Sequence, residues 1–250
     1  MGKNKLKKFA ENSTFHCMVQ PEFDKIFHRN HELKGRWRED FFGNGNPIVL
    51  ELGCGRGEYT VELARKFPEK NFIGIDIKGA RMWRGAKTAT EEGLLNAGFL
   101  RTRIEFIESF FAPGEITEIW ITFPDPQLKK DRAIKRLTSP AFLERYARFT
   151  AINAVLHLKT DSLHLHEYTK AVLAANGITP EVSSPDIYGS GTADDLLSIK
   201  TTYEQRFLGE GFPITYLRWS PAGREKFAVP LFAPDDDEGT LDDLRPRRTT

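Results

Sequence analysis

Asp125 stands between two prolines in Phe123-Pro124-Asp125-Pro126, and Lys129, Lys130, Arg132, Lys135 and Arg136 follow it, five basic residues in eight positions. Proline fixes its own φ and restricts the residue before it, so this carboxylate has little backbone freedom. The apolar run Ile119-Trp120-Ile121-Thr122-Phe123 reads as a buried strand, which puts Asp125 at the strand's C-terminal end, where open α/β sheets bind ligands. The basic segment attracts polyanions. A fixed acid beside such a segment suits a small-molecule site that also handles nucleic acid.

A second constellation lies upstream. Ile48-Val49-Leu50-Glu51-Leu52 ends in the glycine turn Gly53-Cys54-Gly55-Arg56-Gly57, and Asp76 comes 21 residues after Gly55. Strand, glycine turn and helix open a nucleotide-binding half, because glycine permits a tight turn and a close ligand approach. The spacing is G-x-G-x-G rather than the dinucleotide G-x-G-x-x-G, and no Gly-Lys-Ser/Thr makes a P-loop. Glu51 would repel a pyrophosphate and attract a cation. S-adenosylmethionine (SAM) carries an ammonium and a sulfonium and no phosphate, so it is the expected cofactor. Glu51, Gly53, Gly55, Gly57 and Asp76 are its expected binding residues, Asp76 through the ribose hydroxyls. Cys54 reads as a packing residue.

The elements that must position these groups follow from the hydrophobic pattern. Residues 1–45 read as an N-terminal arm with short helical pieces. From residue 46 to 230 strands alternate with helices. The expected strands are 48–52, 71–77, 100–106, 119–123, 154–160 and 213–220, and the expected helices lie near 58–67, 79–92, 140–150, 162–175 and 196–208. That alternation implies an α/β fold with a mainly parallel sheet. Residues 183–192 read as a loop, and the charged, aperiodic tail 231–250 as disordered.

Composition sets the outer bounds. A hydrophobic content of 40% with 19 Phe supports a substantial core, and a net charge of +1 excludes a simple polycation. Two cysteines, Cys17 and Cys54, give no disulfide framework and fit a reducing, cytoplasmic setting. No stretch reaches the roughly 18 apolar residues that cross a bilayer. The basic N-terminus lacks the apolar region of a secretory signal. His164 and His166, at i and i+2, do not share a helix face, so no metal site is expected.

The glycine turn resembles motif I of SAM-dependent methyltransferases. Phe123-Pro124-Asp125-Pro126 with Lys129 and Lys135-Arg136-Leu137-Thr138 resembles bacterial tRNA (guanine-N7)-methyltransferases, as do Val19-Gln20-Pro21, Lys159-Thr160-Asp161 and Thr201-Thr202-Tyr203-Glu204 with Arg206-Phe207. The resemblance spans roughly residues 12–220. It implies a Rossmann-like SAM-dependent methyltransferase sheet with helices on both faces, and methyl transfer to N7 of guanine at tRNA position 46, in the variable loop. It also implies that Asp125 both contacts SAM and acts in catalysis, and that Lys129, Asp161, Thr201, Thr202, Tyr203 and Glu204 bind substrate. Two positions depart from the family. Gln127 replaces a tryptophan, and the third-strand acid near the adenine falls at about Arg103, with Glu105 two residues on as the acid in reach.

N7 of guanine is an unprotonated acceptor, so its attack on a methyl group needs no general base. The product ring is cationic, and Asp125 is the group expected to stabilise it. Lys129 to Arg136 would contact phosphates. Two other readings predict different behaviour: a methyltransferase acting on protein or small molecules would not bind tRNA, and a non-catalytic RNA-binding protein would not bind SAM. The sequence leaves monomer or homodimer open.

Overall fold

The computed structural model describes residues 3–231. Its sheet has eight strands among the described residues: β1 (Met18–Val19), β2 (Ile48–Leu52), β3 (Asn71–Asp76), β4 (Ala97–Arg101), β5 (Ile116–Thr122), β6 (Thr150–Thr160), β7 (Val182–Ser184) and β8 (Thr215–Trp219). They lie in the order β1-β4-β3-β2-β5-β6-β8-β7. Neighbours from β1 to β6 are parallel, while β8 runs antiparallel to β6 and β7 antiparallel to β8. The helices are α1 (Lys3–Asn12), α2 (Phe23–Ile26), α3 (Glu58–Lys66), α4 (Gly79–Glu91), α5 (Pro140–Ala147), α6 (Leu163–Ala175) and α7 (Thr202–Gly209).

All five residues of β2 are buried, the pattern of a strand covered on both faces. Ile48, Leu50 and Leu52 pack in one apolar layer with Phe142, Leu143 and Tyr146 of α5 and Leu165, Tyr168 and Val172 of α6. Val49 joins the opposite layer, with Val61 and Leu63 of α3 and Met82 and Ala86 of α4. The sheet is thus the middle of three layers, as the Rossmann-like expectation requires. Strand order reverses between β2 and β5, which creates the crevice where doubly wound sheets take ligands.

The segment expected as an arm is built into this fold. β1 pairs Met18 with Phe99 and Val19 with Leu100. Trp37, fully buried, donates its indole N–H to Phe110 O at 2.8 Å. A two-residue strand has no period to read, and Trp37 opens a lone π-helical turn, so neither left a pattern in the sequence. The expected strand to Phe106 stops at Arg101, and Ile104–Ser109 forms a 3₁₀ helix. Part of the expected loop at 183–192 is strand β7. The helix expected from residue 196 starts only at Thr202, because Asp194 Oδ1 accepts the N–H groups of Leu196 and Leu197 at 2.9 and 2.8 Å and makes a turn there. From residue 232 on, the tail expected to be disordered lies outside the described residues.

No helix among the described residues is long and apolar enough to cross a membrane. None of their His, Cys, Asp or Glu residues cluster into a metal-binding group. Cys17 and Cys54 are both buried and unpaired.

Candidate active site

The turn after β2 puts three glycines in the left-handed region, Gly53 at φ 78°, Gly55 at 56° and Gly57 at 71°. The N–H groups of Gly53 and Cys54 both donate to Ile75 O, at 2.8 and 3.0 Å, which hangs the turn from the end of β3. Asp76 completes the connection: its Oδ2 accepts the Gly55 N–H at 3.0 Å and its Oδ1 the Lys78 N–H at 2.7 Å. A side chain added at Gly53 would project into open space, and at Gly55 it would meet only Gly53 O at 3.9 Å. That open backbone forms the floor of a cleft of about 1480 Å³.

Glu51 lies beneath it, 3% exposed. Its Oε2 accepts the Thr60 N–H at 2.9 Å and the Thr60 hydroxyl, and its Oε1 accepts the Thr122 hydroxyl at 2.6 Å. Burial pushes its pKa up to about 7 despite these donors, and the Asp76 charge adds to the rise. A buried acid that is half protonated near neutrality favours a cationic ligand above it. The open glycine floor, the two acids and the absence of a P-loop lysine fit SAM.

The opposite wall follows β5. Phe123 and Gln127, neither a glycine, take φ values of 46° and 48°, conformations that cost about 1–3 kcal/mol each unless the surroundings impose them. Arg136 supplies that constraint at Gln127. It is fully buried, donates to Pro126 O at 3.1 Å, Gln127 O at 2.9 Å and Leu128 O at 3.4 Å, and stacks 4.2 Å from the Tyr168 ring centre. Asp125, exposed, projects from the loop so held and accepts the Gln127 N–H at 3.1 Å. Arg136 was expected among the phosphate contacts; its burial rules that out, and it pins the Asp125 loop instead.

The third wall is the start of α7. Thr201 caps the helix by accepting the Glu204 N–H at 3.1 Å. Glu58, at the start of α3, accepts both the N–H and the hydroxyl of Thr202, at 2.8 and 2.7 Å, and so joins the glycine turn to this wall. The Tyr203 ring lies 5.3 Å from that of Phe123, and its hydroxyl is 3.3 Å from Asp161 Oδ2.

Glu51, Gly53, Gly55, Asp76, Glu105, Asp125, Thr201, Thr202 and Tyr203 therefore line one cleft, although up to 152 residues separate them. Lys129 and Asp161 are not among its lining residues, and Asp161 meets it only through the Tyr203 hydroxyl. Two expected contacts are corrected. Gly57 faces away: a side chain there would run into Phe99 and lie 3.2 Å from Gly85 Cα, so this glycine serves the packing of α3 against α4. Glu204 is fully buried; Lys159 Nζ lies 2.8 and 2.9 Å from its two oxygens, and Tyr188 donates to it at 2.7 Å. It anchors the α7 wall and cannot reach a substrate. Arg103 and Glu105 both line the cleft and pair with each other at 3.5 Å, so neither stands out as the third-strand contact. Thr60, Thr122, Glu58 and Lys159 were not foreseen as site residues; the partners of the last three lie 71, 144 and 45 residues away.

A family model described as "Putative methyltransferase" matches residues 45–217. The chain is 52% identical over 219 residues to a Bacteroides fragilis protein named tRNA (guanine-N(7)-)-methyltransferase, covering 88% of this chain and 86% of that one. Proteins of the same name from Christiangramia forsetii and Porphyromonas gingivalis are 54% and 56% identical, over 87% and 74% of this chain and 97% and 75% of theirs. Among solved structures, an antibiotic-related methyltransferase superposes with a TM-score of 0.55 at 19% identity, covering 78% of this chain and 98% of that one. The 16S rRNA methyltransferase KamB gives 0.52 at 18%, over 78% and 97%. At such identities these two structures speak to the fold alone.

Proposed function

The chain belongs to the tRNA (guanine-N(7)-)-methyltransferase family, and from that premise we propose that its cleft transfers the methyl group of SAM to N7 of guanine 46 in the variable loop of tRNA. It is a SAM-dependent methyltransferase, and tRNA is its substrate. The observation that carries the reading is the convergence of Asp125, Asp76 and the open Gly53–Gly55 backbone on one cleft at the reversal of strand order.

SAM, when bound, supplies an electrophilic methyl group on a sulfonium. The residues of the chain hold and orient. Gly53 and Gly55 leave room for close approach, Asp76 accepts from ribose hydroxyls, and Glu51 supplies negative charge from the floor. N7 attacks with its own lone pair, so no side chain must remove a proton. Asp125 stabilises the positive charge that grows on the guanine ring and accepts from the donors on its Watson–Crick edge. Thr201, Thr202 and Tyr203 form the wall against which the base is held, and Tyr203 with Phe123 offers aromatic surface for it. Lys129, Arg132 and Lys135 contact phosphates.

Incubation of the protein with methyl-labelled SAM and a tRNA transcript bearing guanine at position 46, followed by strand scission at 7-methylguanine, tests this. One label at position 46 is expected, and none in a transcript with adenine there. Label at another guanine would refute the assigned position, and label absent from tRNA altogether would refute the substrate.

A further inference from the structure

The N-cap and first two turns of α4 carry Lys78, Arg81 and Arg84 on one exposed stripe, and no acid. Helix N-termini favour acids, because their unsatisfied N–H groups carry partial positive charge; three cations there are locally unfavourable. None of the three makes an ion pair with a described residue. Further along the same helix the pattern changes: Lys87 meets Glu11 at 3.3 Å and Glu91 at 3.9 Å. Cations are thus left unpaired where α4 borders the cleft and neutralised where it leaves it.

The stripe is braced from behind. Trp83, between Arg81 and Arg84, donates its indole N–H to Glu11 of α1 at 2.7 Å, and Lys8 of α1 sits 4.5 Å from the Trp83 ring centre. Asn12 donates to Gly79 O at 2.9 Å and ties α1 to the start of α4. Lys8 also borders the cleft, so α1 both supports the stripe and extends it.

We propose that Lys78, Arg81 and Arg84, extended by Lys8, form a second phosphate-binding rim that grips the RNA backbone on the β3 side of the cleft. The Lys129–Lys135 segment grips it on the β5 side. The inference rests on the tRNA reading above and adds a surface to it. Charge balance favours RNA over SAM as the partner of this stripe: SAM has one carboxylate and a net positive charge, which three unpaired cations do not complement. Two rims on either side of the strand reversal would hold the backbone at both flanks while one base enters between them.

The test is a salt titration of tRNA binding by wild type and by the triple variant Lys78→Gln, Arg81→Gln, Arg84→Gln, with SAM affinity and thermal unfolding measured alongside. Each lost phosphate contact lowers the slope of log affinity against log salt by about 0.7–0.9. The slope should fall by about two to three, and affinity at 0.15 M salt by roughly 100-fold. Hydroxyl-radical footprints should lose nucleotides different from those lost with Lys129→Gln, Arg132→Gln, Lys135→Gln. An unchanged slope, or a fall in SAM affinity alone, would overturn the proposal. If the triple variant unfolds, Arg84→Gln alone must lower the slope by about one, or the proposal fails. Wild type that binds no tRNA would overturn the substrate reading itself, a result distinct from a silent variant.

Discussion

Glu51 on β2 accepts the hydroxyl hydrogen of Thr122 on β5 at 2.6 Å, and this bond joins the two neighbouring strands between which strand order reverses. It ties the strand that leads into the glycine turn to the strand that leads into the Asp125 loop. The two halves of the cleft are therefore registered to each other through a buried carboxyl group before any ligand arrives.

That carboxyl group should make SAM binding pH-dependent. Its pKa is about 7 in the folded protein against an ordinary 4.5. Between these values the folded chain holds the proton more tightly than the unfolded chain. Stability of the free protein therefore falls as pH rises through this window, by a total of about 3 kcal/mol. A cationic ligand favours the ionised form, so SAM affinity should drop as pH falls below about 7, with proton release on binding. Calorimetric titrations from pH 5.5 to 8 check this. Glu51→Gln should abolish the dependence and weaken SAM binding by about 1–3 kcal/mol; a pH-independent wild type would refute it.

The Lys159–Glu204 pair should behave as a buried anchor. Both side chains are fully buried, and burial pulls the Lys159 ammonium below its ordinary pKa while Glu204 opposes that fall. Glu204→Gln leaves an uncompensated charge and should cost about 3–5 kcal/mol in denaturant unfolding. The paired replacement Lys159→Met with Glu204→Leu should recover much of this. Equal losses in the single and double variants would contradict the anchor role.

Arg136 should affect turnover and leave electrostatic attraction alone. Arg136→Lys loses the planar fork that satisfies three carbonyls. It should lower the single-turnover methylation rate roughly 10- to 100-fold through the Asp125 loop, the equivalent of about 1.5–3 kcal/mol. The salt slope of tRNA binding should stay at the wild-type value. An intact rate in Arg136→Lys, together with a slope lower by about one in the charge-removing Arg136→Gln, would return Arg136 to the phosphate contacts.

The sequence carried what is local. The apolar run of β2, the glycine turn and the proline-flanked Asp125 each lie within a few residues and obey simple rules, so the α/β architecture and the acids facing the cleft were legible. What depends on distant partners was not. Glu58 and Thr202 are 144 residues apart, and nothing in either neighbourhood announces the bond. Arg136 reads as a phosphate contact and Glu204 as a substrate contact, yet each is buried by contacts that only the folded chain supplies. Gly57 fits the glycine motif by spacing, while its reason is the close approach of Phe99 and Gly85.

The negative charge of Asp125 should stabilise guanine as it is methylated. Asp125→Asn keeps the shape and removes the charge, and the decisive measurement is its single-turnover rate at saturating SAM and tRNA. A rate lower by about 100-fold or more is expected, with tRNA affinity near wild type, because the charge matters as the ring becomes cationic and phosphates dominate binding. A rate within a few-fold of wild type would show that the charge is not needed and would contradict the account.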